Sequence, residues 1–430
     1  MTDSAQLEIS LKDVQENARN LFSSAIIGRL KRRFYLPGNA WILTSSSTLW
    51  SVGGAMASPY QSLFFYSIGA SAILIGYLAA ITSLVTAVSQ LVGGYVGDVW
   101  GRKRAIIVFS FIGVANNFIY FMTPDAPLLL LPVVIGSVSG IYGPLFTTSL
   151  TESMKPELRP RGIASYSFIN TIPAVISPYL GGLLISRFGD IQGIRFAFLA
   201  AGLFGIAAIT YRALRMTENF TPRKKVSFSE FWFTLIAETR RAFSIVGKDA
   251  RLLLLYSIVA SFALGLTSSF SVLYFVQELH FQPYLYGIVV GISSFVVMLL
   301  LFPAARMVEK FGLKKSVVFS SLSVPLNQLF FTRAKDMDEM VTWSVVGGTG
   351  TALLGPPLTA LQTDIVPKFI RGRIMAMFSA LPLFFSIPAQ ILGGYLYSVT
   401  PLLPFIVSVP VFAVSVIVLL SIREPKRLEV

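Results

Sequence analysis

Residues 93–104 read GGYVGDVWGRKR, setting one carboxylate, Asp98, and three consecutive bases, Arg102, Lys103 and Arg104, between two very apolar stretches. A carboxylate at a helix end can accept hydrogen bonds from the unpaired amides that begin another helix. A guanidinium can pair with a carboxylate such as Glu152 and fix the loop. Such groups hold and release, which is the chemistry of a latch rather than of bond cleavage. The pattern recurs about 211 residues on, where Glu309, Gly312, Lys314 and Lys315 lie over Asp98, Gly101, Lys103 and Arg104, with Leu313 in place of Arg102. A second echo sets Glu152, Pro156, Arg161 and Gly162 over Asp364, Pro367, Arg371 and Gly372. Gly76 lies over Gly287, and Leu180-Gly181-Gly182 over Leu392-Gly393-Gly394. Several matches in order, at a nearly constant offset, imply two halves related by a structural repeat.

The elements that must carry these groups are apolar. Of 430 residues 54% are hydrophobic and only 13% charged, whereas a soluble chain carries about a quarter charged residues. Twelve apolar segments, most near the ~20 residues needed to cross a bilayer as a helix, run from Trp41 to Ile422. They are too long for barrel strands of about ten residues. The expected fold is an all-α membrane protein of twelve transmembrane helices in two six-helix bundles, residues 40–214 and 251–422. Residues 1–39 form an amphipathic N-terminal segment, 215–250 a central loop with an amphipathic helix, and 423–430 a tail. Leu11, Val14, Ala18, Leu21 and Phe22 share one helical face, as do Phe228, Phe231, Trp232 and Leu235. Both helices suit the membrane surface or packing against the protein's own loops.

Twelve spans place both termini on one side, together with 31 of the 35 Lys and Arg. Basic loops mark the cytoplasm, so the expected location is the inner or plasma membrane, with both termini cytoplasmic. The net charge of +14 is then an orientation signal, and nucleic acid is not an expected partner. The sequon Asn219-Phe220-Thr221 falls on the cytoplasmic side, where glycosylation is not expected. The first 39 residues lack the short apolar core of a signal peptide. There is no cysteine and one histidine, His280. No nucleophile elbow, zinc-protease motif or P-loop is present, and Gly348-Thr-Gly350 lies inside an apolar span. An enzyme, a cofactor and a metal site are not expected.

The loop Gly94, Asp98, Gly101, Arg102, Lys103 resembles the signature G-x-x-x-D-x-x-G-R-[KR]-x-[KR] of the major facilitator superfamily, with Ala105 in place of the final base. The resemblance covers about residues 40–422 and implies a transporter working by alternating access, its two bundles rocking about a midplane site. It places Asp98 opposite the start of the eleventh span near Gly372, and Glu309 opposite the start of the fifth near Gly162. Asp98, Arg102, Glu152, Arg161, Glu309, Asp364 and Arg371 would form the cytoplasmic gate, with Gly94 and Gly101 allowing close approach and a tight turn. The bland reading makes Asp98 a solvated helix end and the bases topogenic only.

Superfamily cavities draw on both bundles, which makes Trp50, Gln61, Tyr142, Tyr166, Asn170, Tyr274, Gln277, Gln362 and Gln390 the cavity candidates. Each would equally serve as an interhelical contact. Asn116, Asn117, Asn327 and Gln328 read as scaffold. No Asp or Glu sits at a predicted midplane, so the cavity should be neutral. A coupling ion, H+ or Na+, would use boundary acids such as Asp98, Glu152, Glu278, Glu309 or Asp364. Pro173 to Gly182 resembles the superfamily's antiporter signature through Pro178, Gly181 and Gly182, which favours export; the expected cargo is a neutral or amphipathic small molecule and the expected carrier a monomer. An uptake carrier for a sugar or other metabolite is the alternative. A lipid scramblase or membrane enzyme ranks below both.

Overall fold

A computed structural model describes residues 34–218, 247–366 and 371–422. The amphipathic segments around Leu11–Phe22 and Phe228–Leu235, the sequon and the tail lie outside the described residues, as do the side chains of Glu309, Arg371 and Gly372.

Within the described residues the chain forms twelve rods. The first is Gly38–Ala57 continued by Gln61–Ser67 after a tight turn at Ser58–Tyr60. Ala72–Trp100, Arg102–Met122, Ala126–Glu152, Pro156–Phe188 and Asp190–Arg215 complete the first half. The second half comprises Lys248–Glu278, Pro283–Phe311, Leu313–Phe331, Met337–Ile365, Arg371–Val399 and Leu403–Leu420. Lengths of 18 to 33 residues correspond to roughly 27–50 Å of helix, enough to cross a bilayer. Large apolar side chains such as Phe111, Leu203, Phe319 and Ile417 face outward, where lipid rather than water is their solvent. We call the face where the first rod begins and the twelfth ends the terminal face, and its opposite the far face.

The repeat legible in the sequence is a repeat in space. Span one packs on spans five and six, and span seven on spans eleven and twelve; spans three and nine lie against spans six and twelve. The two most extensive pairings cross between halves, span five with span eight and span two with span eleven. Equivalent turns use equivalent glycines: Gly101 and Gly312 have φ of 83° and 87°, a region that a Cβ disfavours. Asn116 sits against Gly136 and Asn327 against Gly347, so the third span is stitched to the fourth, and the ninth to the tenth, by the same Asn-on-Gly contact.

Candidate functional site

Two seams join the halves, and both are built on the duplicated glycines. A Cβ on Gly76 of span two would stand 2.6 Å from Gln390 O of span eleven, while Gly394 lies against Ala72 O and Ile73. The repeat-related seam sets Gly287 of span eight against Pro178 O of span five, Gly182 against Tyr284, and Gly291 against Val175 O. With no side chain in the way, backbones approach directly. Their neighbours Gly181 and Gly393 face inward instead, onto Met56 O and Leu266 O of their own halves. The paired glycines thus split the work, one for the bundle and one for the seam.

Hydrogen bonds reinforce the seams. Tyr60 OH, fully buried, reaches Pro178 O at 2.8 Å in its own half and Pro283 O at 3.0 Å in the other. Gln390 Nε2 donates to Ser83 Oγ at 2.8 Å, and the Tyr77 and Tyr395 hydroxyls meet at 3.2 Å. These contacts occupy the far half of the spans; Ser83 is roughly 16 Å along its helix from the far end. Toward the terminal face, a Cβ on Gly94, Gly143 or Gly355 would meet nothing within 4 Å. Thr147 and Thr359 are exposed there, and each bonds back at 3.1 Å to the carbonyl of Gly143 or Gly355. The matching motifs, Gly143-Pro144 with Thr147 and Gly355-Pro356 with Thr359, went unread in the sequence although they stand 212 residues apart.

At the terminal face Asp98 is exposed and Arg102 is ion-paired with Glu152. Glu218 accepts a hydrogen bond from the Lys103 amide at 2.9 Å, capping the third span. Sequence reasoning missed Glu218 because it stands 115 residues away, beyond the sixth span. Arg161 is exposed, its guanidinium over the Tyr35 ring at 5.4 Å, and Asp364 is exposed.

The nine cavity candidates scatter. Trp50 stacks on Tyr142 at 6.5 Å, Tyr142 and Tyr166 both touch Phe146, and Ser47 donates to Asn170 at 3.0 Å. These four cluster in the first half. Gln61 donates to Tyr120 OH at 2.8 Å, also inside the first half. Tyr274 donates to Thr332 O at 3.0 Å and Gln277 lines a far-face pocket with Tyr66 and Asp190. Gln362 is buried on span ten, and Gln390 belongs to the seam. A cavity of about 370 Å³ lies elsewhere, among Ser271, Ser293, Ser294, Asn327, Gln328 and Thr351 of the second half.

Arg212 corrects one assumption of the charge count. Grouped by sequence with the loop bases of the terminal face, it is fully buried on span six. Its Nε donates to Ser46 Oγ at 2.7 Å and its Nη1 to Ser110 Oγ at 2.9 Å. The guanidinium carbon lies 5.1 Å and 5.7 Å from the Tyr142 and Phe146 ring centres. Aromatic faces stabilise a desolvated cation, which is how a base this close to a helix end can turn inward.

The profile of the Major Facilitator Superfamily matches residues 40–326 and, in a second alignment, 253–430. The chain belongs to that superfamily. An uncharacterized MFS-type transporter of Methanocaldococcus jannaschii is 19% identical over 364 residues, 82% of this chain and 88% of the relative. Multidrug resistance protein 1 of Bacillus subtilis is 26% identical over 152 residues, 35% of this chain and 39% of that protein. The crystal structure of a D-xylose–proton symporter superposes with a TM-score of 0.71 at 14% identity, over 91% of this chain and 99% of that one. As a superfamily member the protein is a multi-pass membrane transporter rather than an enzyme. Among the described residues no group of three or more His, Asp or Glu is placed to hold a metal.

One prediction arises at the latch. If Asp98 engages the opposite half only when the terminal side closes, Asp98→Asn weakens that closed state by about 1 kcal/mol, near a fivefold population shift. Because the chain has no cysteine, a single Thr359→Cys reports access directly. The expected result is faster labelling of Thr359→Cys from the terminal side and several-fold slower transport; unchanged labelling with normal transport refutes the latch role.

Proposed function

We propose that the protein exports small neutral or amphipathic organic molecules by alternating access, and that the form described here is open to the cytoplasm. The observation that carries the reading is the one-sided seam: glycine-mediated contacts join the halves on the far side, while Gly94, Gly143 and Gly355 stand uncovered toward the terminal face. The bases counted on that face, 30 of 35 once the buried Arg212 is set aside, support its being cytoplasmic. The latch of Asp98, Arg102 and Glu152, with Glu309, Asp364, Arg161 and Arg371, would close it in turn. The absence of carboxylates from the predicted midplane supports a neutral cargo, because a charge at mid-bilayer costs about 2.5–3.5 kcal/mol on insertion scales. Export is supported by the Ser177-Pro178 stretch ending in Gly181-Gly182 and by the partial likeness to a multidrug resistance protein.

Purified protein in liposomes, loaded with a pH-sensitive dye and challenged with a panel of solutes on either side, tests this. Solute leaving from the terminal side without a large proton flux is the expected result. Net uptake of a sugar with stoichiometric proton entry overturns both the direction and the coupling expectation.

A further inference from the structure

The second half contains a chamber. It is walled by spans seven to ten and twelve, with Thr171 of span five as its contribution from the other half, and its volume is about 370 Å³. That lies within the range of small-ligand sites, ~300–1,000 Å³. The repeat shows how the equivalent place is filled in the first half. About 210 residues back, Ser271 corresponds to Gln61, and Phe331 to Tyr120. In the first half Gln61 reaches across to the Tyr120 hydroxyl at 2.8 Å. In the second half that plug is missing: the glutamine is a serine and the tyrosine has lost its hydroxyl.

The chemistry of the walls is specific. No lining side chain is charged. The hydroxyl hydrogens of Ser271, Ser293, Ser294 and Thr351 are committed to backbone carbonyls at 2.9–3.3 Å. Gln328 spends Nε2 on Thr267 and Oε1 on Ser408. The Asn327 amide packs on Gly347, which leaves its Oδ1 buried and out of a ligand's reach. What these hydroxyls turn toward a ligand is therefore oxygen lone pairs. With the Tyr286 phenol, a donor, also on the wall, the lining calls for a group that both donates and accepts. A cation would supply donors, but with no carboxylate to offset its desolvation it loses to an uncharged one.

We propose that this chamber binds an uncharged, hydrogen-bonding group, a hydroxyl- or amide-bearing end of the carried solute. The inference rests on the transport reading above and narrows its substrate class. The decisive variant writes the first half's plug into the second: Ser271→Gln with Phe331→Tyr. A milder pair, Ser294→Ala with Thr351→Val, removes two acceptors at nearly constant volume and guards against misfolding of the first.

Full-length protein in lipid nanodiscs is melted with myo-inositol, xylitol, uridine and malonamide, and with sodium and tetramethylammonium chlorides as cation probes. At least one neutral probe should raise the melting temperature of the wild type, with apparent affinity about tenfold or more weaker in both variants. Stabilisation by none of the neutral probes, stabilisation by cations alone, or an unaltered response in the plugged variant overturns the proposal. Exchange of the stabilising probe in proteoliposomes separates the two readings. Wild-type rates in the plugged variant overturn the chamber and leave transport standing. Binding that the plug abolishes, without exchange by the wild type, supports the chamber and overturns the neutral-cargo reading.

Discussion

Gly182→Ala should cut transport by about fivefold to over a hundredfold while leaving the melting temperature within a few degrees of wild type. Its new Cβ would press on the backbone of span eight at Tyr284 and Pro283 and on the Tyr60 hydroxyl. Overpacking of a tight contact costs about 1–3 kcal/mol, and the part set by Tyr284 and Pro283 falls on the form in which the far seam is shut, shifting populations 5- to 150-fold. Gly181→Ala makes the contrast. Its Cβ would meet Met56 O, within the same bundle in every conformation, so its penalty appears as lost thermal stability and lower folded yield. Gly287→Ala, against Pro178 O, should behave like Gly182→Ala. The measurement is melting temperature beside liposome transport for all three, together with Thr359→Cys labelling. Equal stability losses at Gly181 and Gly182, or full transport by Gly182→Ala, would remove the division of labour between the paired glycines.

The second large effect belongs to Arg212. Truncation to alanine empties the space between Ser46, Ser110, Tyr142 and Phe146, and cavities from large-to-small core substitutions cost about 2–5 kcal/mol. Arg212→Met fills most of that volume without the charge. Burying a cation costs several kcal/mol, so removing both charge and desolvation together is often close to neutral. Arg212→Ala should therefore unfold readily, whereas Arg212→Met should melt within about 1.5 kcal/mol of wild type. Unfolding free energies in denaturant decide it. If the methionine variant is as unstable as the alanine one, the guanidinium's bonds outweigh its desolvation and the cage is held by charge. If it is stable but fails to transport, the cation acts in the cycle rather than in the fold.

Local spacing was enough to read the fold. Twelve apolar runs and their offset matches identified the rods and the repeat; Gly76, Gly287 and Gly394, marked in the sequence only as echoes, lie along the seam with Gly182, which the antiporter-like stretch had marked as an interface glycine. The reason is physical: close backbone contact tolerates one residue type, so the constraint is written in the residue's identity. Hydrogen-bonding side chains carry no such stamp. Gln61 and Gln390 have the same composition and similar depth, yet one plugs a bundle and the other crosses between halves. Arg212 was indistinguishable from a topogenic base because its inward turn depends on Tyr142 and Phe146 of span four, some seventy residues away. The chamber was hidden for a related reason. It is defined by what Ser271 and Phe331 fail to fill, and a vacancy has no motif.

Tyr60 carries a single hydroxyl hydrogen between two carbonyls, Pro178 O at 2.8 Å and Pro283 O at 3.0 Å. If the seam parts as the alternating-access proposal requires, that hydrogen can stay with Pro178 on its own side, leaving the phenol its acceptor, and the Pro283 carbonyl would emerge into solvent that can hydrate it. A fastener of this kind adds orientation when shut yet demands little to undo. On that proposal stiction, the hazard of a joint that seals too well, is kept low.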